Sequence, residues 1–232
     1  MSEIFSGYVL NYILYGVIIG IPLLAQLLIT SQYNKYKKVN NSNKLSGFEV
    51  ARKILDANGL ENIYIVEVQG DLTDHYDPTR KTVRLSTSIF HDSTIASASV
   101  AAHECGHAIQ DKIGYVPMRI RSAIVPVVNF GSKIAWIVIL IGLFTQYFKI
   151  FILGVALISL GLIFQLITLP VEFDASRRAK IELKKLGLVS TEEGSGVAKM
   201  LFAAAMTYVA GVLTSILEIV RILLMFNNNN RK

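Results

Sequence analysis

Residues 94–112 read Thr94-Ile95-Ala96-Ser97-Ala98-Ser99-Val100-Ala101-Ala102-His103-Glu104-Cys105-Gly106-His107-Ala108-Ile109-Gln110-Asp111-Lys112. The run contains no proline, and Asp92 or Ser93 just ahead of it can cap a helix, so it reads as one helix. Its first half is almost all small residues, which lets neighbouring elements approach closely and places the helix in a packed interior. Positions four apart on a helix differ by about 400° of rotation and 6 Å of rise, so His103 and His107 leave one face a turn apart. Two imidazoles so placed can hold a single Zn2+ at about 2.0–2.1 Å. Glu104, next to the first of them, is angled to reach a water on that ion rather than the ion itself. There it can act as general base and then general acid, while zinc lowers the water pKa to about 7 and polarises a carbonyl. Two of the chain's four histidines spaced this way around a glutamate is a pattern that chance seldom produces.

The rest of the sequence says what holds that helix. Of 232 residues 52% are hydrophobic and 17% charged, and the mean hydropathy is +0.46, which is the profile of a membrane protein. About 20 apolar residues cross a bilayer core of roughly 30 Å. Residues 7–30 form a first span, containing Pro22, and residues 123–169 hold two apolar runs joined by the short connection 145–149, an antiparallel transmembrane hairpin. Residues 201–226 form a last run that is either transmembrane or interfacial, with Glu218 and Arg221 three apart on one face. Between these lie two polar segments, 31–122 and 170–200, and the tail 227–232 is low-complexity and expected to be disordered.

Within the first polar segment, Ser46-Gly47-Phe48-Glu49 has capping-box spacing for a helix over 48–57, and residues 63–68 and 82–86 read as two strands of a small sheet. In the second, a helix is expected over 172–186 beyond Pro170, with another capping box at Ser190 and Glu193.

The net charge is +6 and the pI about 9.3, yet the basic residues sit beside the apolar runs. Lys35, Lys37, Lys38 and Lys44 follow the first span, and Arg177, Arg178, Lys180, Lys184 and Lys185 follow the third. That is the placement set by the positive-inside rule and by anionic lipid headgroups, so no nucleic-acid partner is expected and both polar segments are assigned to the cytoplasmic side. The single cysteine, Cys105, excludes an intramolecular disulfide, and the long first span is read as a retained anchor rather than a signal peptide.

A catalytic zinc needs a third protein ligand and an open position. His75, His91, Asp111 and the acids after Pro170 are the candidates. Asp111 lies about 12 Å along the helix axis from His103, too far to share a centre with it, and His91 precedes the helix cap. That leaves His75 or a downstream carboxylate. The hairpin returns the chain to the membrane face it left, so Glu172, the first acid after the return, is expected to arrive beside the motif helix.

The runs Leu72-Thr73-Asp74-His75-Tyr76-Asp77-Pro78, Val100 to Gln110 and Leu169-Pro170-Val171-Glu172-Phe173-Asp174-Ala175-Ser176-Arg177-Arg178-Ala179 closely resemble the YugP-like neutral zinc metallopeptidases of bacteria over essentially the whole chain. More distantly the layout is similar to HtpX-type membrane zincins, in which two spans also separate the motif helix from a Glu ligand. The resemblance implies one zinc ion per chain on His103, His107 and Glu172, with Glu104 catalytic. In the HtpX-type pattern an Asp or Asn follows the ligand Glu by four residues, where this chain has Ser176. Asp174 or Arg177 are the candidates to supply the hydrogen bond made from that position. His75 or Tyr76 could face the substrate or its oxyanion.

The expected fold class is a mainly helical α+β membrane protein, a zincin-like unit with a small sheet fused to three or four transmembrane helices. The expected activity is that of a zinc endopeptidase of the bacterial cell membrane acting on peptide or protein substrates at the cytoplasmic side, with the strand over 81–87 offered to an extended peptide by edge pairing. The rivals are a noncatalytic zinc-binding membrane scaffold, a transporter, which lacks a charged midplane pathway here, and an intramembrane protease, whose motif helix would be less polar.

Overall fold

The computed structural model describes the backbone of residues 2–229 and the side chains of residues 9–226. Among these residues are seven helices and three strands: α1 (Ser2–Tyr36), α2 (Gly47–Ala57), β1 (Tyr64–Val68), β2 (His75–Asp77), β3 (Thr82–Ser86), α3 (Thr87–His91), α4 (Ile95–Lys112), α5 (Val116–Thr145), α6 (Phe148–Lys185) and α7 (Gly194–Asn229). α1, α5, α6 and α7 are each long and apolar enough to cross a membrane. The molecule is a mainly helical α+β membrane protein with one small sheet. The chain divides into two compact units, one of residues 27–119 and 170–206, the other of residues 1–26, 120–169 and 207–232.

The first unit holds the sheet and the motif helix. α2 starts where its sequence says, with Ser46 Oγ accepting from the Glu49 amide at 3.2 Å and the Glu49 carboxylate accepting from the Ser46 amide at 2.7 Å. The apolar face of α2 (Val50, Ala51, Ile54, Leu55) shares one buried core with Ala98, Ala101, Ala102 and Cys105 of α4 and with Val83 and Leu85 of β3. Small residues on α4 are what allow so many elements to close on it. The helix is capped by Thr94, whose Oγ1 accepts from the Ser97 amide at 3.1 Å, and not by Asp92 or Ser93. Asp92 instead closes the short α3, its amide donating to Ser88 O.

The sheet order is β1-β3-β2. β1 runs parallel to β3 with Tyr64 opposite Thr82 and Val68 opposite Ser86. β2 runs antiparallel to β3 with His75 opposite Arg84 and Asp77 opposite Thr82. Two expectations are corrected here. The 75–77 stretch, read from Asp77-Pro78 as a turn, is a strand whose turn begins only at Asp77, where Oδ1 accepts from the amides of Thr79 and Arg80. The 82–86 strand is central, paired with β1 along its length and with β2 over residues 82–84, so it is not the edge strand expected to take a peptide; the edges belong to β1 and β2.

A third correction concerns Pro170. Residues 172–186 do not form a separate helix, because α6 runs unbroken from Phe148 to Lys185 with Pro170 inside it. Proline removes one backbone donor and crowds the carbonyl four residues earlier, a loss that helices packed on one another commonly absorb. Glu172 therefore stands on the same helix as the third apolar run. The second capping box forms as its sequence predicts, the Glu193 carboxylate accepting from the Ser190 amide at 2.6 Å. The same carboxylate also takes the Ser42 amide and hydroxyl at 2.6 and 3.0 Å, pinning the 37–46 loop.

In the second unit α5 and α6 form a hairpin whose backbones meet at glycines. A Cβ on Gly142 would lie 2.5 Å from the Phe151 backbone, and one on Gly154 would lie 2.7 Å from Ile139 N. Phe151, Ile139 and Val155 pack with Ile222 and Phe226 of α7. Arg221 pairs with Glu218 at 2.6 Å and lies 4.4 Å over the Tyr15 ring of α1, so both charges are partnered where α7 is apolar. Of the tail expected to be disordered, residues 227–229 continue α7, and residues 230–232 lie outside the described residues.

Candidate metal centre

α4 and α6 bring together the residues singled out in sequence. His103 and His107 stand one turn apart with their rings nearly perpendicular at 85° and centroids 4.8 Å apart. Glu172 enters from α6, its Oε2 lying 3.2 Å from His103 Nε2 and 3.5 Å from His107 Nε2. The three ligand atoms all lie within 4.8 Å of one another, and among the described residues this is the group of histidine, cysteine and acidic side chains placed to hold a metal ion. In a tetrahedral zinc site with bonds of 2.0–2.1 Å, neighbouring ligand atoms are about 3.3–3.4 Å apart. Both histidine-to-glutamate separations fall within about 0.2 Å of that edge, and two imidazole nitrogens with one carboxylate oxygen are a donor set zinc accepts. The residues fit the ion.

Gly106 sets the approach of the two helices. A Cβ built on it would lie 2.6 Å from Ala175 O and 3.1 Å from Ala175 Cα, so only glycine admits the α6 backbone this close to α4. Ala175 is flanked by Glu172 one turn back and Ser176 next in line. The space beside the motif is filled by this neighbouring backbone.

Behind the rings a hydrogen-bond layer holds the histidines. Ser176 Oγ is 3.2 Å from His103 Nδ1, so serine itself makes the contact for which Asp174 and Arg177 were candidates. His107 Nδ1 is 3.0 Å from Oε1 of the fully buried Gln110. Asp174 lies farther from the rings, accepting from Gln110 Nε2 at 3.0 Å and from Arg178 at 2.6 Å. Arg177 caps that carboxylate from the exposed side at 2.5 Å. Sequence reasoning missed Gln110, although an amide three residues past a ligand histidine on the packed side of its helix is a readable signal.

Glu104 is 7% exposed. Burial pushes its carboxyl pKa above the ordinary value, against the pull of the two neighbouring histidines, and a raised carboxylate is better matched to proton transfer near neutral pH. Burial would lower the pKa of His107, but the carboxylates of Glu172 and Glu104 outweigh it and the net shift is upward. Cys105 is buried with its thiol 3.6 Å from Ala51 O, and burial pushes its pKa up, which leaves it a packing residue with little thiolate character.

His75 and Tyr76 of β2 are not among the three residues of this group. Tyr76 donates its hydroxyl to Asp111 Oδ2 at 2.7 Å, where Lys81 also pairs at 2.5 Å, and this ties the edge strand β2 to the end of α4. Burial and the adjacent Asp111 raise the Tyr76 pKa. His75 is exposed with Nδ1 2.9 Å from Thr73 O, and His91 pairs with Glu67 at 3.1 Å.

The profile of a family described as "Putative neutral zinc metallopeptidase" matches residues 11–227. The chain belongs to that family. It is 45% identical over 210 residues to a protein of Bacillus subtilis (strain 168) named "Putative membrane protease YugP", the match covering 90% of this chain and 93% of that one. No solved structure matches it. The likeness therefore spans α1 to α7 and both halves of the candidate centre.

Proposed function

We propose that this protein is a membrane-bound, zinc-dependent endopeptidase, with His103, His107 and Glu172 holding one zinc ion and Glu104 as general base and acid. The observation that carries the reading is that Glu172 Oε2 lies at tetrahedral-edge distance from Nε2 of both His103 and His107, with a buried glutamate next to one of them in the chain. Bound there, zinc supplies Lewis acidity that polarises the scissile carbonyl and acidifies the attacking water. The Glu104 carboxylate accepts a proton from that water as the water adds to the peptide carbon. It then delivers the proton to the amide nitrogen, which leaves as the amine when the C–N bond breaks. Its raised pKa lowers the cost of holding the proton between the two steps. Substrate in extended form would add to a free sheet edge, and β2, tied to α4 through Tyr76 and Asp111, is the edge attached to the motif helix. Positive-inside counting puts the site at the cytoplasmic face of a bacterial cell membrane, where peptides or unfolded protein segments would be substrates.

The test is purification in detergent, zinc quantification, and cleavage of an unfolded test protein by the wild type and by Glu104→Gln. The reading requires about one zinc per chain in both, and cleavage only by the wild type. Zinc without Glu104-dependent cleavage would favour a metal-binding scaffold. Full zinc occupancy in Glu172→Ala would remove the third ligand.

A further inference from the structure

Gln110 has no exposed surface, and its amide faces three partners. Nε2 donates to Val171 O at 2.8 Å and to Asp174 Oδ2 at 3.0 Å, while Oε1 lies 3.0 Å from His107 Nδ1. Two acceptors claim the NH2 group, so the amide can be oriented only one way, with its carbonyl toward the imidazole. A carbonyl oxygen accepts and never donates. His107 Nδ1 must therefore carry the hydrogen, which leaves the lone pair on Nε2, the atom 3.5 Å from Glu172 Oε2. The two donor bonds meanwhile grip α6 at the residue before Glu172 and at the one two places after it.

We propose that Gln110 is a positioning residue that locks His107 in the metal-competent tautomer and ring angle. The proposal rests on the zinc reading above. Packing alone does not account for a glutamine at this place: a buried amide costs free energy that an aliphatic side chain of the same volume avoids, so what it bonds is the reason for it. Supporting hydrogen bonds of this kind typically change metal affinity about 10–100-fold.

The experiment measures zinc affinity by chelator competition on the full chain in detergent, with the melting temperature of the zinc-free protein as a fold control. Gln110→Met keeps the volume and removes every bond. Gln110→Glu keeps an acceptor for His107 Nδ1 and removes both donors to α6; because the new carboxylate would face Asp174, it is made together with Asp174→Asn and read against that single variant. Gln110→Met should weaken zinc binding about 10–100-fold, and Gln110→Glu should recover most of that loss. The proposal is overturned by Gln110→Met binding within about threefold of wild type, or by Gln110→Glu binding as weakly as Gln110→Met, which would assign the effect to helix docking. If Gln110→Met does not fold, Gln110→Glu decides alone: affinity near that of Asp174→Asn upholds the role, and a loss of about tenfold or more overturns it. Wild type that takes up no zinc would sink the zinc reading and this proposal together, whereas zinc-binding wild type matched by Gln110→Met sinks the proposal only.

Discussion

Gly106→Ala is the substitution whose effect can be worked furthest from the structure. Inside a helix, alanine is ordinarily the better residue by about 0.5–1 kcal/mol, so α4 taken alone predicts a gain. Packing predicts the reverse. The new Cβ would meet Ala175 O at 2.6 Å, where ordinary contact begins at 3.4 Å, so α6 must retreat by about 0.8 Å, and the obstacle is backbone that cannot rotate away. Overpacking of this kind costs about 1–3 kcal/mol, more than the helix gain returns. The retreat carries Glu172 and Ser176 with it, and a metal site tolerates about ±0.2 Å in its ligand distances. The expected result is a lower melting temperature for the zinc-free protein and zinc binding at least about tenfold weaker by chelator competition, a loss of about 1.4 kcal/mol or more. Gly194→Ala is the control, since a Cβ there meets nothing within 4 Å. A Gly106→Ala protein that melts no lower than wild type and binds zinc as tightly would refute the reasoning that this glycine sets the distance between α4 and α6.

Three further outcomes are expected. Glu104→Gln should lose about 10²–10⁴-fold in cleavage rate while keeping its zinc, read by metal analysis beside a proteolysis assay. Zinc affinity should fall as pH falls, and the fall should begin above the ordinary histidine value of 6.5, because the raised pKa of His107 means the metal must displace a proton held to higher pH; a flat affinity between pH 6 and 8 would contradict this. Tyr76→Phe should cost about 0.5–1.5 kcal/mol of stability by removing the bond to Asp111 and leave turnover per folded molecule unchanged, whereas a large drop in turnover would restore Tyr76 as an oxyanion group.

The pairing of His103, Glu104 and His107 was legible because helical spacing alone brings such residues together. The arrival of Glu172 beside the two histidines was legible for a topological reason, since a hairpin of two apolar runs must return the chain to its starting face. What stayed hidden depended on contacts between segments distant in sequence. Nothing local in Ser176 says that its hydroxyl reaches His103, and nothing in residues 82–86 says that β3 lies between β1 and β2. The three residues of β2 are too short to outweigh the turn signal of Asp77-Pro78, and Pro170 looks like a helix break until the packed helix around it is seen.

Cys105 has a practical consequence. It is the chain's single cysteine, and it is buried with a thiol held protonated. The native protein is therefore a silent background for membrane-impermeant thiol reagents. One cysteine introduced at an exposed position such as Lys38, and another at Tyr147 between α5 and α6, would report directly which aqueous compartment each occupies in intact cells, with no native residue to remove first.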